Sequence, residues 1–231
     1  MTGEYRVLGA AHGLLLGMVL TSPLIAPSLL PWGIEALFIV AAFQLRLTDR
    51  RWGLRGGWLG LVSHIRMAPA RLIPWGGIAL VALMAEPEQA GHALAILAAM
   101  LVGELLVYPL GTFLLGRLSR RGIGGLIALL LIGGALAEPG RVACYAMAFT
   151  LGMSGCVFWL RGPDGETGAT MAALTGGIAA LLGALLLPVT QGLAVPAGLL
   201  CLTLTFAHLS MMRRHPLHWR LPSGVGGPGL R

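Results

Sequence analysis

Long apolar runs, separated by short charged or Pro/Gly-rich links, make up most of the chain from residue 7 to residue 212. Several runs exceed about 18 residues, the length that a helix needs to cross a hydrocarbon core of roughly 30 Å. Membrane strands would alternate polar and apolar residues, and these runs do not alternate. The pattern predicts an all-α polytopic membrane bundle of about eight helices. The spans are predicted at residues 7–26, 30–45, a third segment ending near 85, 92–116, 123–137, 142–160, 169–188 and 192–212.

The third segment is the least regular of the eight. Its first part, residues 58–72, carries Arg66 and Arg71. We expect this part to be an amphipathic helix in the membrane interface, whose arginines reach out to lipid phosphates. The membrane-crossing part then continues to Ala85.

Glycine and alanine are dense in the fifth, sixth and seventh predicted spans, as in "GIGGLIALLLIGGALA" and "MAALTGGIAALLGALLL". Small residues allow helix backbones to approach closely in lipid. These three spans are therefore predicted to form one tight cluster.

Composition leaves no room for a sizeable soluble domain. Of the residues, 56% are hydrophobic and 11% are charged, whereas a soluble domain carries about 25% charged residues. We divide the chain into N-terminal helices at 1–90, a helical core at 91–212, and a basic, Pro/Gly-rich tail at 213–231 that is expected to be flexible.

The formal net charge is +7, but this surplus does not indicate nucleic-acid binding, because the arginines lie at the ends of spans. Arginine-bearing segments occur at the N-terminus, after the second, fourth and sixth spans, and at the C-terminus. The other links carry Glu86, Glu88, Glu138 and Arg141. By the positive-inside rule, this alternation predicts about eight spans with both termini in the cytoplasm. We expect the membrane to be a bacterial inner membrane.

The cysteine and histidine patterns predict no metal site and no cofactor. Cys144, Cys156 and Cys201 are scattered within predicted spans without CxxC spacing. No two histidines within one span are four residues apart, as haem ligation by one helix would require.

One carboxylate, Glu104, falls midway along the predicted span at 92–116. A charged side chain at that depth costs several kcal/mol, so it must face the bundle interior or a wet cavity, or stay protonated. Tyr108 follows at i+4 and is expected to hydrogen-bond the carboxyl. A functional acid and a structural link to a neighbouring helix both remain open. Glu35 lies near the outer end of its span, where water is closer.

Two stretches, "GELLVYPLGTFLLGRLSRRG" and "AFTLGMSGCVFWLRGPDGETGATMAALTGG", carry a family resemblance. They resemble the first helix, and the third and fourth helices, of the CAAX protease and bacteriocin-processing (CPBP) family of intramembrane glutamic proteases. Across roughly 99–183, the resemblance implies a CPBP-like core in the second half of the chain. It also implies glutamate-activated water as the chemistry.

In this resemblance the second glutamate of the family's first motif is Glu104. The first glutamate is replaced by Gly103 and the motif arginine by Tyr108. Glu138 stands nearest to the second-motif histidine, and the last-helix positions fall near Gly177 and Ala180. The resemblance therefore implies a degenerate member that keeps the fold and has lost most of the chemistry.

A second, weaker motif is "GMSG" around Ser154, which resembles the serine motif of rhomboid proteases; His208 lies two spans later. The predicted topology places Ser154 and His208 at similar depth in parallel helices. Together with the resemblance above, this yields the candidate catalytic residues Glu104, Tyr108, Glu138 and His208.

Three functions stay open. The first is a CPBP-like protein, catalytically impaired, that acts in membrane-protein processing or assembly. The second is a small-molecule or ion transporter that uses Glu104. The third is a non-catalytic scaffold subunit of a membrane complex. The expected partners are the lipid bilayer and a membrane protein or peptide.

Overall fold

The computed structural model describes residues 9, 13–19, 21, 26–52, 58–85, 90–137, 139–162 and 167–212. Within these residues the chain is helical, with no strand. Residues 13–19 are helical, and seven longer helices follow: α1 (Leu30–Trp52), α2 (Trp58–Ala85), α3 (Ala90–Arg117), α4 (Arg120–Ala137), α5 (Arg141–Leu160), α6 (Thr167–Leu186) and α7 (Gln191–Met212).

Each of the seven longer helices contains a segment that is long and apolar enough to cross a membrane. The predicted all-α, multi-pass membrane architecture is therefore confirmed, and the spans predicted from residue 30 onward each coincide with one helix. Half of the first predicted span, 7–26, lies outside the described residues, and the tail at 213–231 lies wholly outside them.

Helix α2 corrects the prediction for the third segment. Residues 58–72 are the first half of one continuous helix that runs to Ala85 through Pro69 and Pro74. Its residues Leu61–Ala85 are long and apolar enough to cross a membrane. The segment is not a separate interfacial helix. Arg71 does not need to reach lipid phosphates, because its charge is neutralised inside the bundle, as described below.

Helix α5 lies at the centre of the packing and contacts α1, α3, α4 and α7. The pair α1–α5 packs especially closely, because a Cβ added at Gly152 would overlap the carbonyl oxygen of Ile39. Phe38 and Phe149 are fully buried beside this contact. The apolar core therefore sits between α1 and α5.

The expected cluster of the fifth, sixth and seventh spans is not what forms. Helix α6 packs mainly on α7 rather than on α5. Gly177 of α6 and Gly198 of α7 face each other, and a Cβ on either would come within about 3.1 Å of the other's carbonyl oxygen. Helices α4 and α5, the fifth and sixth spans, do pack together as predicted, with Gly134 close to Met147. The prediction is wrong for the seventh span, because α6 pairs with α7 instead.

Candidate functional site

Glu104 of α3 is fully buried, and its carboxylate is held by Arg71 of α2. Arg71 Nε donates to Oε1 at 2.9 Å and to Oε2 at 3.0 Å, and Arg71 Nη2 donates to Oε2 at 2.7 Å. Hydrogen bonds between two charged groups are about twice as strong as neutral ones, and the forked guanidinium fixes the geometry. The acid predicted at mid-span is thus paired within the chain rather than exposed to lipid.

His64, two helical turns before Arg71 on α2, completes the cluster. His64 Nε2 lies 2.9 Å from the backbone carbonyl of Glu104 and 3.1 Å from Oε2 of its carboxylate. Because both oxygens can only accept, Nε2 carries the proton. Arg71 Nη2 also donates to the His64 carbonyl at 2.9 Å. The Arg71 guanidinium and the Glu104 carboxylate cancel each other's charge, which lowers the cost of placing both in a low-dielectric interior.

A single π-helical turn, Gly103–Val107, interrupts α3 at the site. The N–H of Tyr108 donates to the carbonyl of Gly103, five residues earlier, instead of to the carbonyl of Glu104. The next residue, Pro109, has no N–H to offer. The carbonyl of Glu104 is therefore free to accept from His64. Turns of this kind occur often at functional sites.

Tyr108 lies beside the cluster but does not bond to the acid. Its ring stacks on the ring of His64, with centroids 4.4 Å apart and planes 12° from parallel. Its buried Oη has no hydrogen-bond partner among the described residues. The prediction of a hydrogen bond from Tyr108 to Glu104 is wrong, because Arg71 and His64 already occupy the carboxylate.

A cavity of about 930 Å³ opens beside the cluster, between α1, α2 and α3. Its walls are mostly apolar, with residues such as Leu37, Trp75 and Met100. Its polar lining residues are Gln44, Thr48, Ser63, His64, Arg71 and Glu104. Of the ion pair, Arg71 is the member with an accessible surface, since its side chain is 28% exposed and that of Glu104 is 1% exposed. The cavity therefore meets the cluster through Arg71.

The other predicted site residues lie elsewhere. Glu138 is outside the described residues. His208 lines a separate cavity at the end of α7 and is not among the partners of Glu104. Ser154 is fully buried, and neither its Oγ nor Nε2 of His208 has a hydrogen-bond partner in the described part of the chain. No Ser154–His208 hydrogen bond forms.

Sequence reasoning found Glu104 but missed His64 and assigned Arg71 to the lipid interface. A signal for both was present. His64 and Arg71 fall on one stripe of α2 with alternating spacings of four and three, and the rest of that stripe is buried: Ala68, Trp75, Ile78 and Ala82. A stripe with this spacing marks the face that a helix turns toward its neighbours. An arginine on it must find a partner inside the bundle.

Two glycines that fall at or near catalytic positions of the CPBP pattern lie in tight contacts here. A Cβ at Gly103 would lie 3.1 Å from the ring of Phe149. A Cβ at Gly177 would lie 3.1 Å from Cys201 Cβ. In addition, the partners of Glu104 come from α2, which precedes residue 90, and not from the helices that follow it.

The fold and the site define a multi-pass helical membrane protein with a charge-paired acid at mid-span. In the described residues, no group of three or more His, Cys, Asp or Glu is placed to hold a metal ion. No family model, no curated protein and no solved structure matches the chain.

Proposed function

We propose that this protein binds an apolar, uncharged molecule that carries a carbonyl group, such as a long-chain ester, in the cavity between α1, α2 and α3. The molecule enters from the bilayer, and Arg71 donates hydrogen bonds to its carbonyl. We further propose that the protein resides in a bacterial inner membrane with both termini in the cytoplasm.

The observation that carries this proposal is that Arg71 binds Glu104 and His64 with only two of its three side-chain nitrogen atoms. Its Nε and Nη2 atoms bind Glu104 and the carbonyl of His64. Its Nη1 atom makes no hydrogen bond with the described residues, although the side chain lines the cavity. A guanidinium has five N–H donors, so Arg71 can hold the acid with one edge and a ligand with the other.

Charge balance supports an uncharged ligand. Arg71 and Glu104 cancel each other, so a bound anion would leave an uncompensated charge in a low-dielectric site, which is costly. A carbonyl oxygen accepts hydrogen bonds without adding charge. The apolar walls around Leu37, Trp75 and Met100 match the hydrocarbon part of such a molecule.

Photolabelling of the purified protein with a diazirine-bearing long-chain methyl ester tests the proposal. We expect labelled peptides from α1 and α2, and we expect Ala70→Trp, which fills the cavity from its α2 wall, to abolish them. The charge-neutral pair Arg71→Met with Glu104→Gln should also lose the label. Arg66→Met is the matched control, since Arg66 is exposed on the same helix. Equal labelling of all these variants would contradict the proposal.

A second candidate is a residual intramembrane protease of CPBP kinship acting in membrane-protein processing. The specific observation in its favour is the 3.1 Å approach of His64 Nε2 to the Glu104 carboxylate beside a cavity at mid-span. Against it, Arg71 holds both carboxylate oxygens, which makes the acid a poor base for activating water.

Affinity purification in mild detergent distinguishes a residual protease from a non-catalytic scaffold subunit. Accumulation of an uncleaved membrane substrate with Glu104→Gln, but not with the wild type, would establish proteolysis. A co-purifying complex that is unchanged by Glu104→Gln would indicate a scaffold instead.

A further inference from the structure

A second polar cavity, of about 320 Å³, lies away from Glu104 where four helices meet at one end of the bundle. Helices α4 and α6 begin there, and helices α5 and α7 end there. Its polar and aromatic lining residues include Arg120, Trp159, Thr205 and His208. This is the arginine-rich side of the protein, which we propose to be cytoplasmic.

Arg120, at the start of α4, is held in place at the rim of this cavity. Its guanidinium carbon lies 4.7 Å above the centre of the Phe158 ring, a cation–π contact. Arg161 fixes the neighbouring turn, because its guanidinium donates to the carbonyls of Leu118 and Gly116 at the end of α3. Two contacts between α5 and the α3–α4 connection thus position the cation.

His208 supplies a second donor from α7. Its Nε2 atom is buried and has no hydrogen-bond partner among the described residues. A buried polar atom without a partner is unfavourable, so a ligand that satisfies it binds more tightly. Trp159 stands beside it in the wall, as tryptophans do at the level of lipid headgroups.

From this arrangement we infer that the cavity binds the phosphate group of an anionic glycerophospholipid. Arg120 pairs with the phosphate, His208 donates to one of its oxygens, and the apolar wall of Leu204 and Ala173 lies against the glycerol and the start of an acyl chain. Basic pockets between membrane helices on the cytoplasmic side are typical sites for acidic headgroups. This site does not depend on the ester-binding cavity at Arg71.

Native mass spectrometry of the full-length protein, with phosphatidylglycerol and phosphatidylcholine added in equal amounts, tests the inference. We expect the wild type to retain phosphatidylglycerol preferentially. Arg120→Gln should lower that preference roughly tenfold, the equivalent of one charged hydrogen bond. His208→Gln should lower it by a smaller factor.

Arg121→Gln is the matched control, because Arg121 is the exposed neighbour of Arg120 and does not line the cavity. It should leave the lipid preference unchanged. Equal losses in Arg120→Gln and Arg121→Gln would show a general charge effect and overturn the site, as would a wild type without preference. Inorganic phosphate is added in a further arm: displacement of the lipid by phosphate at millimolar concentration would overturn the lipid as the occupant in favour of free phosphate.

Discussion

Every polar atom of the Glu104 carboxylate is accounted for inside the bundle. Arg71 holds both oxygens, and His64 approaches one of them and the backbone carbonyl of the same residue. A single charged arginine or glutamate would carry a high free-energy cost in the middle of a membrane span, whereas the pair is neutral. The cluster therefore joins α2 to α3 and leaves one edge of the guanidinium toward the cavity.

Tyr108 gives a prediction at the level of one atom. Because its buried Oη bonds to none of the described residues, Tyr108→Phe should leave the free energy of unfolding unchanged or raise it by about 1 kcal/mol. Tyr108→Ala should lower it by about 3–5 kcal/mol, since the ring is buried and stacks on His64. Titration of the purified protein with a denaturing detergent measures both. A loss above about 1 kcal/mol in Tyr108→Phe would show that the hydroxyl has a partner.

The sequence allowed Glu104 to be predicted because an acid inside an apolar run is visible without any knowledge of neighbours. Its partners could not be predicted in the same way. Arg71 lies 33 residues away on another helix. An arginine near a predicted helix end can place its charge either at the lipid phosphates of the interface or against an acid inside the bundle. Which of these two partners Arg71 binds depends on how α2 is rotated about its axis, and the sequence alone does not give that rotation.

At the level of elements, the apolar runs predicted helices well and predicted their neighbours poorly. Hydropathy reports the length of a span, and residues 92–116 were predicted within two residues of the helix Ala90–Arg117. It does not report which spans touch. Glycine marks a close approach but not its partner, so Gly152 contacts α1 and Gly177 contacts α7, contrary to the cluster that was expected.

The α1–α5 contact gives a prediction for one of these glycines. Gly152→Ala should lower the free energy of unfolding by about 1–3 kcal/mol or more, because the added Cβ would overlap the Ile39 carbonyl and force the helices apart. Gly125→Ala in α4 is the matched control, since nothing lies within 4 Å of its added Cβ. It should be neutral or slightly stabilising. The same detergent titration compares them, and equal effects would argue against the close α1–α5 contact.

For the whole molecule, the arginine distribution predicts an orientation. Alkaline phosphatase inserted in the link at 86–89 should be active, because we place that link in the periplasm. The same enzyme fused after residue 212 should be inactive, and green fluorescent protein fused there should fluoresce. A fluorescent fusion in the link at 86–89 would reverse the proposed orientation.

The central claim is that Arg71 and Glu104 neutralise each other across α2 and α3. A double-mutant cycle in which the free energy of unfolding is measured in mixed detergent tests it most directly. Arg71→Met and Glu104→Gln should each be destabilising. Arg71→Met should lower the free energy of unfolding by about 3–5 kcal/mol, because it leaves a buried carboxylate without its partner. The double variant should lose clearly less than the sum of the two single losses.

Arg66→Met, on the exposed face of α2, should change stability by no more than about 0.5 kcal/mol. Strict additivity of the two single effects would contradict the buried ion pair.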